Sequence, residues 1–242
     1  MEINWGNKRN RELYEDGNEE CIDEELKTIS DKIKKIKNKR SDVVNEYGSS
    51  SKVYSHDNHI YYYASVTKKS ALDLNTEIRK VTRTLKRLSS DYNSDPPPIY
   101  LHINSFGGSV FAALSVIDTI QYNPIPVYTI IEGAAASAAT MISVHGKKRF
   151  ITESGHMLIH QLSSGFWGKM CEIEDEAKNL KNLMKVIKKI YKKKSTIPND
   201  KLGEILKHDL WWNSKKCMKY GLVDKIIKNT NEIYQENVKN SY

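Results

Sequence analysis

The sequence predicts an α/β fold. Short apolar runs rich in β-branched and aromatic residues, "IYYYASV", "IYLHIN" and "IPVYTII", alternate with longer segments whose apolar residues recur at helical spacing. That β-α-β alternation implies a largely parallel sheet covered by helices. The second and third runs each lead into a turn of glycine or alanine, and functional groups in such sheets gather where the chain leaves the strands.

Taken in order, "IYYYASV" reads as the first strand and "DLNTEIRKVTRTLKRL" as a helix begun near Asp73. "SSDYNSDPPP" reads as a loop that its prolines keep from becoming helical. "IYLHIN" follows as a buried strand, then "SVFAALSVIDTIQY" as a helix with Val110, Leu114, Ile117 and Ile120 on one face. "IPVYTII" is the next strand. After it Glu132 and Gly133 are expected to turn the chain, and the alanine run "AAASAATM" to start a helix with Ser137 in or near its first turns. "HMLIHQ" reads as an apolar strand ended by His160. In "LKNLMKVIKKIYKKK" an apolar stripe of Leu180, Leu183, Val186, Ile187 and Ile190 faces a side of lysines.

The first 50 residues stand apart as a charged, partly helical extension. Ile22, Leu26, Ile29, Ile33 and Ile36 form a narrow seam at spacings of 4 and 3, which suits a helix docked on the body or on a neighbouring subunit. "YGSSSKVYSHDN" marks a boundary near residue 50, leaving a main domain at 51–230 and a polar tail at 231–242.

Composition narrows the function classes. The net charge of +8 would suit nucleic acid, but the lysines fall on solvated faces of amphipathic helices and no nucleic-acid motif accompanies them, so none is expected as a partner. No apolar run reaches about 18 residues, and "MEINWGNKRN" lacks the apolar core of a secretory signal; no membrane partner and no secretion are expected. Cys21, Cys171 and Cys217 are widely spaced with no CxxC pair, which suggests neither a disulfide framework nor a metal site. A reducing compartment, the cytoplasm or an organelle matrix or stroma, is the simplest setting.

Two strand exits carry candidate chemistry. In "NSFGGSV" Gly107 and Gly108 leave the backbone open to close approach. In "EGAAASAATM" a lone Ser137 sits among small residues at a strand-to-helix junction, where orphan N–H groups favour negative charge. The setting is that of a nucleophile elbow without its GxSxG pattern. A serine needs a base to remove its proton, and of seven histidines His160 is best placed, at another strand end. His56 and His59 read as loop residues before the body, and His102 as a strand residue. The base needs a carboxylate to hold its tautomer; Asp209 in "LKHDLWWN" is one candidate among several by spacing alone.

Three segments in order, "IYLHINSFGGSVFAALSVIDTIQYNPIPVYTIIEGAAASAATMIS", "KRFITESGHMLIHQ" and "HDLWWNSKKCMKYGLVDKII", resemble the proteolytic subunit of the Clp protease family, ClpP, over roughly residues 55 to 228. The resemblance implies a serine endopeptidase with Ser137 as nucleophile, His160 as base and Asp209 as its partner, and with the backbone N–H groups of Gly108 and Ala138 as oxyanion donors. It implies a ClpP/crotonase-like spiral of β-β-α units with a protruding handle helix near residues 169 to 194. It also implies heptameric rings stacked in pairs, or a mixed Clp-type ring, acting on unfolded polypeptide. The subunit itself would hold no cofactor and no metal, and ATP would enter only through a partner AAA+ unfoldase.

The chain departs from that pattern in places. Phe106 stands where the family has proline, "AAT" follows the serine where methionine and glycine are common, and the interval between Ser137 and His160 is a residue or two short. "SSGFWGKM" occupies the place of the family's handle strand. Rival readings are a catalytically silent structural subunit of a mixed ring, a ClpP-like maturation protease, a crotonase-like acyl-CoA enzyme and a serine-lysine dyad.

Overall fold

The computed structural model describes residues 53–229 and 232. The expected extension at 1–50 lies outside the described residues, as does the tail at 231–242 apart from Glu232. The chain divides into Met1–Ser50 and Ser51–Tyr242, and all described elements belong to the second unit.

The α/β expectation holds. Among the described residues eight strands form one sheet in the order β1-β2-β3-β4-β5-β8, with β6 paired to β4 and β7 paired to β6. β1 (Val53–His56) and β2 (His59–Tyr62) form an antiparallel hairpin in which His56 pairs with His59. Asp57 takes φ 51° in the tight turn, a conformation that aspartate tolerates. His56 and His59 are therefore strand-end residues and not loop residues. The remaining neighbours along that order are parallel: β3 (Ile99–Ser105), β4 (Val127–Ala136), β5 (Arg149–Thr152) and β8 (Lys225–Ile227).

Helix α1 (Lys68–Tyr92) begins before Asp73, because Thr67 and Ser70 close a capping box at its start. It also extends four residues, Ser89 to Tyr92, into the segment expected as a loop, and the rest of that segment is non-helical as expected. The prolines at 96–98 come only after Asn93 has ended the helix in a left-handed conformation. Its Ala71, Leu74, Ile78, Val81 and Leu85 pack with Ile60, Tyr62, Leu101 and Ile103, the inner face of the sheet, and with α2 (Val110–Gln121). Ser109 caps α2 by accepting from the Ala112 N–H.

The most consequential difference lies in β4. Glu132 and Gly133 do not turn the chain; they sit inside a strand that continues to Ala136. The register with β3 passes from Ile103↔Ile131 to Ser105↔Ala135, so three residues of β4 stand against one of β3, and Gly133 absorbs the excess at φ 78°. Beyond this bulge β4 leaves β5 and pairs with β6 (His156–Leu158), matching Ala136 to Leu158. The small residues let a strand, not a helix, come close.

Helix α4 (Met170–Lys194) matches the expected long helix, and its docked stripe keeps Ile187 and Ile190 of the expected one and adds Met184 and Tyr191. Ile187 and Tyr191 are buried and Met184 is partly so, whereas Val186 is exposed. Met170 and Ile173 at the start of the helix are also exposed. Residues 163–170, expected as a strand, form none, since a strand needs a ladder partner and none exists among the described residues; Met170 already opens α4. α5 (Asn199–Ile205), β7 (Trp212–Asn213) and α6 (Ser214–Lys219) complete the unit.

Candidate active site

Ser137 lies between β4 and α3 (Ala138–Ser143), as the N-cap of that helix, with φ 54° and ψ −124°. A non-glycine residue held there costs on the order of 1–3 kcal/mol and persists only if its surroundings enforce it. They do. The Ser137 N–H donates to the Leu158 carbonyl at 2.9 Å, and the Ser137 carbonyl accepts from the Thr140 N–H at 3.0 Å and from Thr140 Oγ1 at 2.6 Å.

The glycine pair packs against this serine. A Cβ on Gly107 would lie 2.8 Å from Ser137 Cβ and 2.5 Å from the Ala136 oxygen, so only glycine fits. Val66 pins the pair: its N–H donates to the Gly107 carbonyl at 2.8 Å and its carbonyl accepts from the Ser109 N–H at 2.7 Å. In such a parallel bridge the flanking residues make both bonds, so the N–H of Gly108 points to the opposite side. Ala138 opens a helix, and its N–H has no acceptor within that helix. Gly108, Ser137, Ala138 and His160 line one cavity of about 50 Å³, together with Met141, Leu162, Ile187 and Tyr191.

His160 follows β6 by two residues. Its Nδ1 is 2.9 Å from Asp209 Oδ1. A carboxylate can only accept, so Nδ1 is the donor and, in the neutral ring, Nε2 keeps its lone pair. Asp209 reaches this place because β7 pairs antiparallel with β6 and because the Gln161 N–H donates to the Leu206 carbonyl at 2.6 Å. Its side chain is 74% exposed, against 22% for His160. Phe106 and Trp211 meet edge to face at 6.1 Å, bridging the glycine turn and the Asp209 segment. Among the described residues no hydrogen bond joins Ser137 Oγ to the His160 ring.

All five site residues that the resemblance implies thus fall in one place: Gly108, Ser137, Ala138 and His160 around the cavity and Asp209 bonded to His160. Thr140 and Tyr191 were missed. The signal for Tyr191 was its spacing of four from Ile187, which continues the docked stripe. A second polar cluster was also missed. Glu132 Oε1 lies 2.8 Å from His102 Nδ1, and His102 Nε2 lies 2.8 Å from His59 Nδ1, with Tyr63 donating to Glu132 as well. Burial pushes the Glu132 carboxyl up, but the hydrogen bonds from His102 and Tyr63 outweigh it and hold the group below the usual range. Burial first, then the neighbouring His102, lowers His59 to about 4. None of these residues lines the cavity.

Residues 48–230 match the family model described as Clp protease. The chain belongs to the Clp protease family. The ATP-dependent Clp protease proteolytic subunit 2 of Treponema denticola is 37% identical to it over 164 residues, covering 66% of this chain and 81% of that relative. The ATP-dependent Clp protease proteolytic subunit of Deinococcus radiodurans is 33% identical over 144 residues, covering 59% and 71%. Among solved structures, a mutant of ClpP1 from Listeria monocytogenes superposes with a TM-score of 0.63 at 23% identity, covering 72% of this chain and 94% of that one. The chain has the ClpP/crotonase-like fold. Among the described residues no helix is long and apolar enough to cross a membrane.

Proposed function

We propose that this chain is a serine endopeptidase that hydrolyses peptide bonds of unfolded polypeptides within an oligomeric ring, a homo-oligomer or a mixed Clp-type ring, fed by an ATP-driven unfoldase. Ser137 Oγ attacks the scissile carbonyl carbon as His160 Nε2 takes its proton. Asp209 holds the His160 tautomer and stabilises the imidazolium. The oxyanion lies between the N–H groups of Gly108 and Ala138, either of which is worth about 10²–10³ in rate. His160 then gives the proton to the leaving amine, and water repeats the sequence on the acyl-enzyme. No cofactor or metal enters these steps, and ATP acts only through the partner. A reducing setting, the cytoplasm or an organelle matrix or stroma, belongs to the same proposal.

The observation that carries this reading is the 2.9 Å bond from His160 Nδ1 to Asp209, formed beside a cavity that His160 shares with a strained Ser137. A second reading, a catalytically silent structural subunit, draws on the missing bond between Ser137 and His160. Such bonds are often long in ligand-free sites and tighten with substrate. A fluorophosphonate probe applied to the wild type and to Ser137→Ala, with native mass measured on the same samples, separates the two. Labelling of the wild type alone in a ring-sized species supports the protease; an assembled ring that takes no probe supports the silent subunit.

A further inference from the structure

We propose that Thr140 and Tyr191 are positioning residues that orient and strengthen the Ala138 N–H as an oxyanion donor, through a chain of hydroxyls ending on the Ser137 carbonyl. The catalytic consequence rests on the protease reading above; the hydrogen-bond chain does not.

Thr140 Oγ1 lies 2.6 Å from the Ser137 carbonyl oxygen and 2.6 Å from the Tyr191 hydroxyl. Thr140 has one hydroxyl hydrogen, and the carbonyl can only accept it, so the Tyr191 O–H must be the donor to Thr140. The chain therefore has one direction: Tyr191 O–H to Thr140 Oγ1–H to the Ser137 carbonyl. Both side chains are shielded from water, Thr140 at 0% and Tyr191 at 1% exposure, so no solvent competes for these bonds. Burial keeps the Tyr191 phenol protonated, pushing it up to about 12.

The Ser137 carbonyl and the Ala138 N–H belong to one planar peptide unit and point in opposite directions. Fixing the carbonyl fixes the aim of the N–H. The Thr140 N–H donates to the same oxygen at 3.0 Å, so that carbonyl accepts two bonds on one side. A doubly bonded carbonyl draws electron density through the amide and makes its N–H a stronger donor, the cooperative effect of hydrogen bonds in series. Tyr191 also lines the cavity, so helix α4 contributes to the wall and to the donor behind it.

The test uses the full chain with Thr140→Val, Thr140→Ser and Tyr191→Phe. The first removes the hydroxyl at nearly constant shape, the second restores it, and the third removes only the far donor. Hydrolysis of a fluorogenic peptide is measured per active site titrated with a fluorophosphonate, so that any unfolded fraction is excluded. Since loss of a whole donor costs about 10²–10³ and this change weakens one, kcat per titrated site is expected to fall about tenfold in Thr140→Val. A smaller fall is expected in Tyr191→Phe, with KM within about twofold and recovery in Thr140→Ser. A merely structural role would lower the number of titrated sites and leave kcat per site unchanged, and that result overturns the proposal. So does a Thr140→Ser variant as slow as Thr140→Val. If Thr140→Val does not fold, Tyr191→Phe carries the comparison by the same criteria.

A second readout is independent of turnover. Labelling serine carbonyls with ¹³C and alanine amides with ¹⁵N marks only the Ser-Ala steps of the sequence, Ser70-Ala71 and Ser137-Ala138. The Ala138 amide proton is expected to move upfield in Thr140→Val while Ala71 stays in place. If the wild type takes no probe, the protease reading fails, and this shift alone decides the inference: an unmoved Ala138 resonance overturns it.

Discussion

Gly107→Ala is the sharpest single test of how the site is built. At φ 92° an alanine is strained wherever it has room, by about 1–2 kcal/mol. Here it has none: the new Cβ would lie 2.5 Å from the Ala136 oxygen, 2.8 Å from Ser137 Cβ and 3.0 Å from the Ala138 nitrogen. Two of those atoms are backbone, so no flexible side chain can swing away. Overpacking of this kind adds about 1–3 kcal/mol, for a total of about 2–5 kcal/mol. For a domain of this size that lowers Tm by about 4–20 °C. The chain can reduce the clash only by moving Ser137 or the glycine turn, and a shift of about 1 Å in a reacting group costs about 10² in rate. Thermal unfolding followed by circular dichroism, beside the rate of fluorophosphonate labelling, reads both effects. Gly165→Ala is the control, because an added Cβ there meets nothing within 4 Å. A Gly107→Ala protein that melts and labels like the wild type would refute the packing of the glycine turn on the serine.

Gly203 in α5 also has open space around an added Cβ and no left-handed φ, so Gly203→Ala is expected to stabilise by about 0.4–1 kcal/mol, read as a raised urea midpoint. Asp209→Asn should lower kcat by about 10³–10⁴, since an amide no longer fixes the His160 tautomer, while Tm barely changes because Asp209 is largely exposed. His59 titrates near 4 in the folded chain against an ordinary 6.5, so the unfolded chain binds more protons between those values. Its contribution is complete above pH 6.5 and is lost as pH falls towards 4. Melting temperatures measured across that window should drop with acid, and less steeply in His59→Phe.

Much of the site was readable because its parts sit at strand exits, and strand exits are marked by local residues. "FGGS" and "ASAAT" announce close backbone approach, and the apolar run before His160 announces a strand end. What could not be read depended on partners distant in the chain. Glycine and alanine after Ile131 look like a turn and a helix start; only the pairing of Ala134–Ala136 with His156–Leu158 makes them a strand. Asp209 was one acid among several until β7 set it beside β6. The start of α1 was decided by Thr67 and Ser70, a capping box made with serine in place of the usual acidic or amide side chain. The cluster of Glu132, His102 and His59 is built across three strands, so no window of one segment contains it.

The backbone at Ser137 ties these points to energy. Its conformation costs about 1–3 kcal/mol. Three hydrogen bonds oppose that cost, from Ser137 to Leu158 and from Thr140 to Ser137 twice, at about 0.5–1.5 kcal/mol each. The bonds all use the backbone of residue 137, so they survive replacement of its side chain, and so does the strain for any residue with a Cβ. Only glycine escapes it. Ser137→Ala and Ser137→Gly should both abolish labelling, yet differ in stability. Glycine loses about 0.5–1 kcal/mol to its freer unfolded chain and gains about 1–2 kcal/mol from the absent clash at φ 54°. Ser137→Gly should therefore melt above Ser137→Ala, the reverse of their order at an ordinary position. If alanine is the more stable of the two, the serine is not strained, and its placement owes nothing to the lattice of bonds around it.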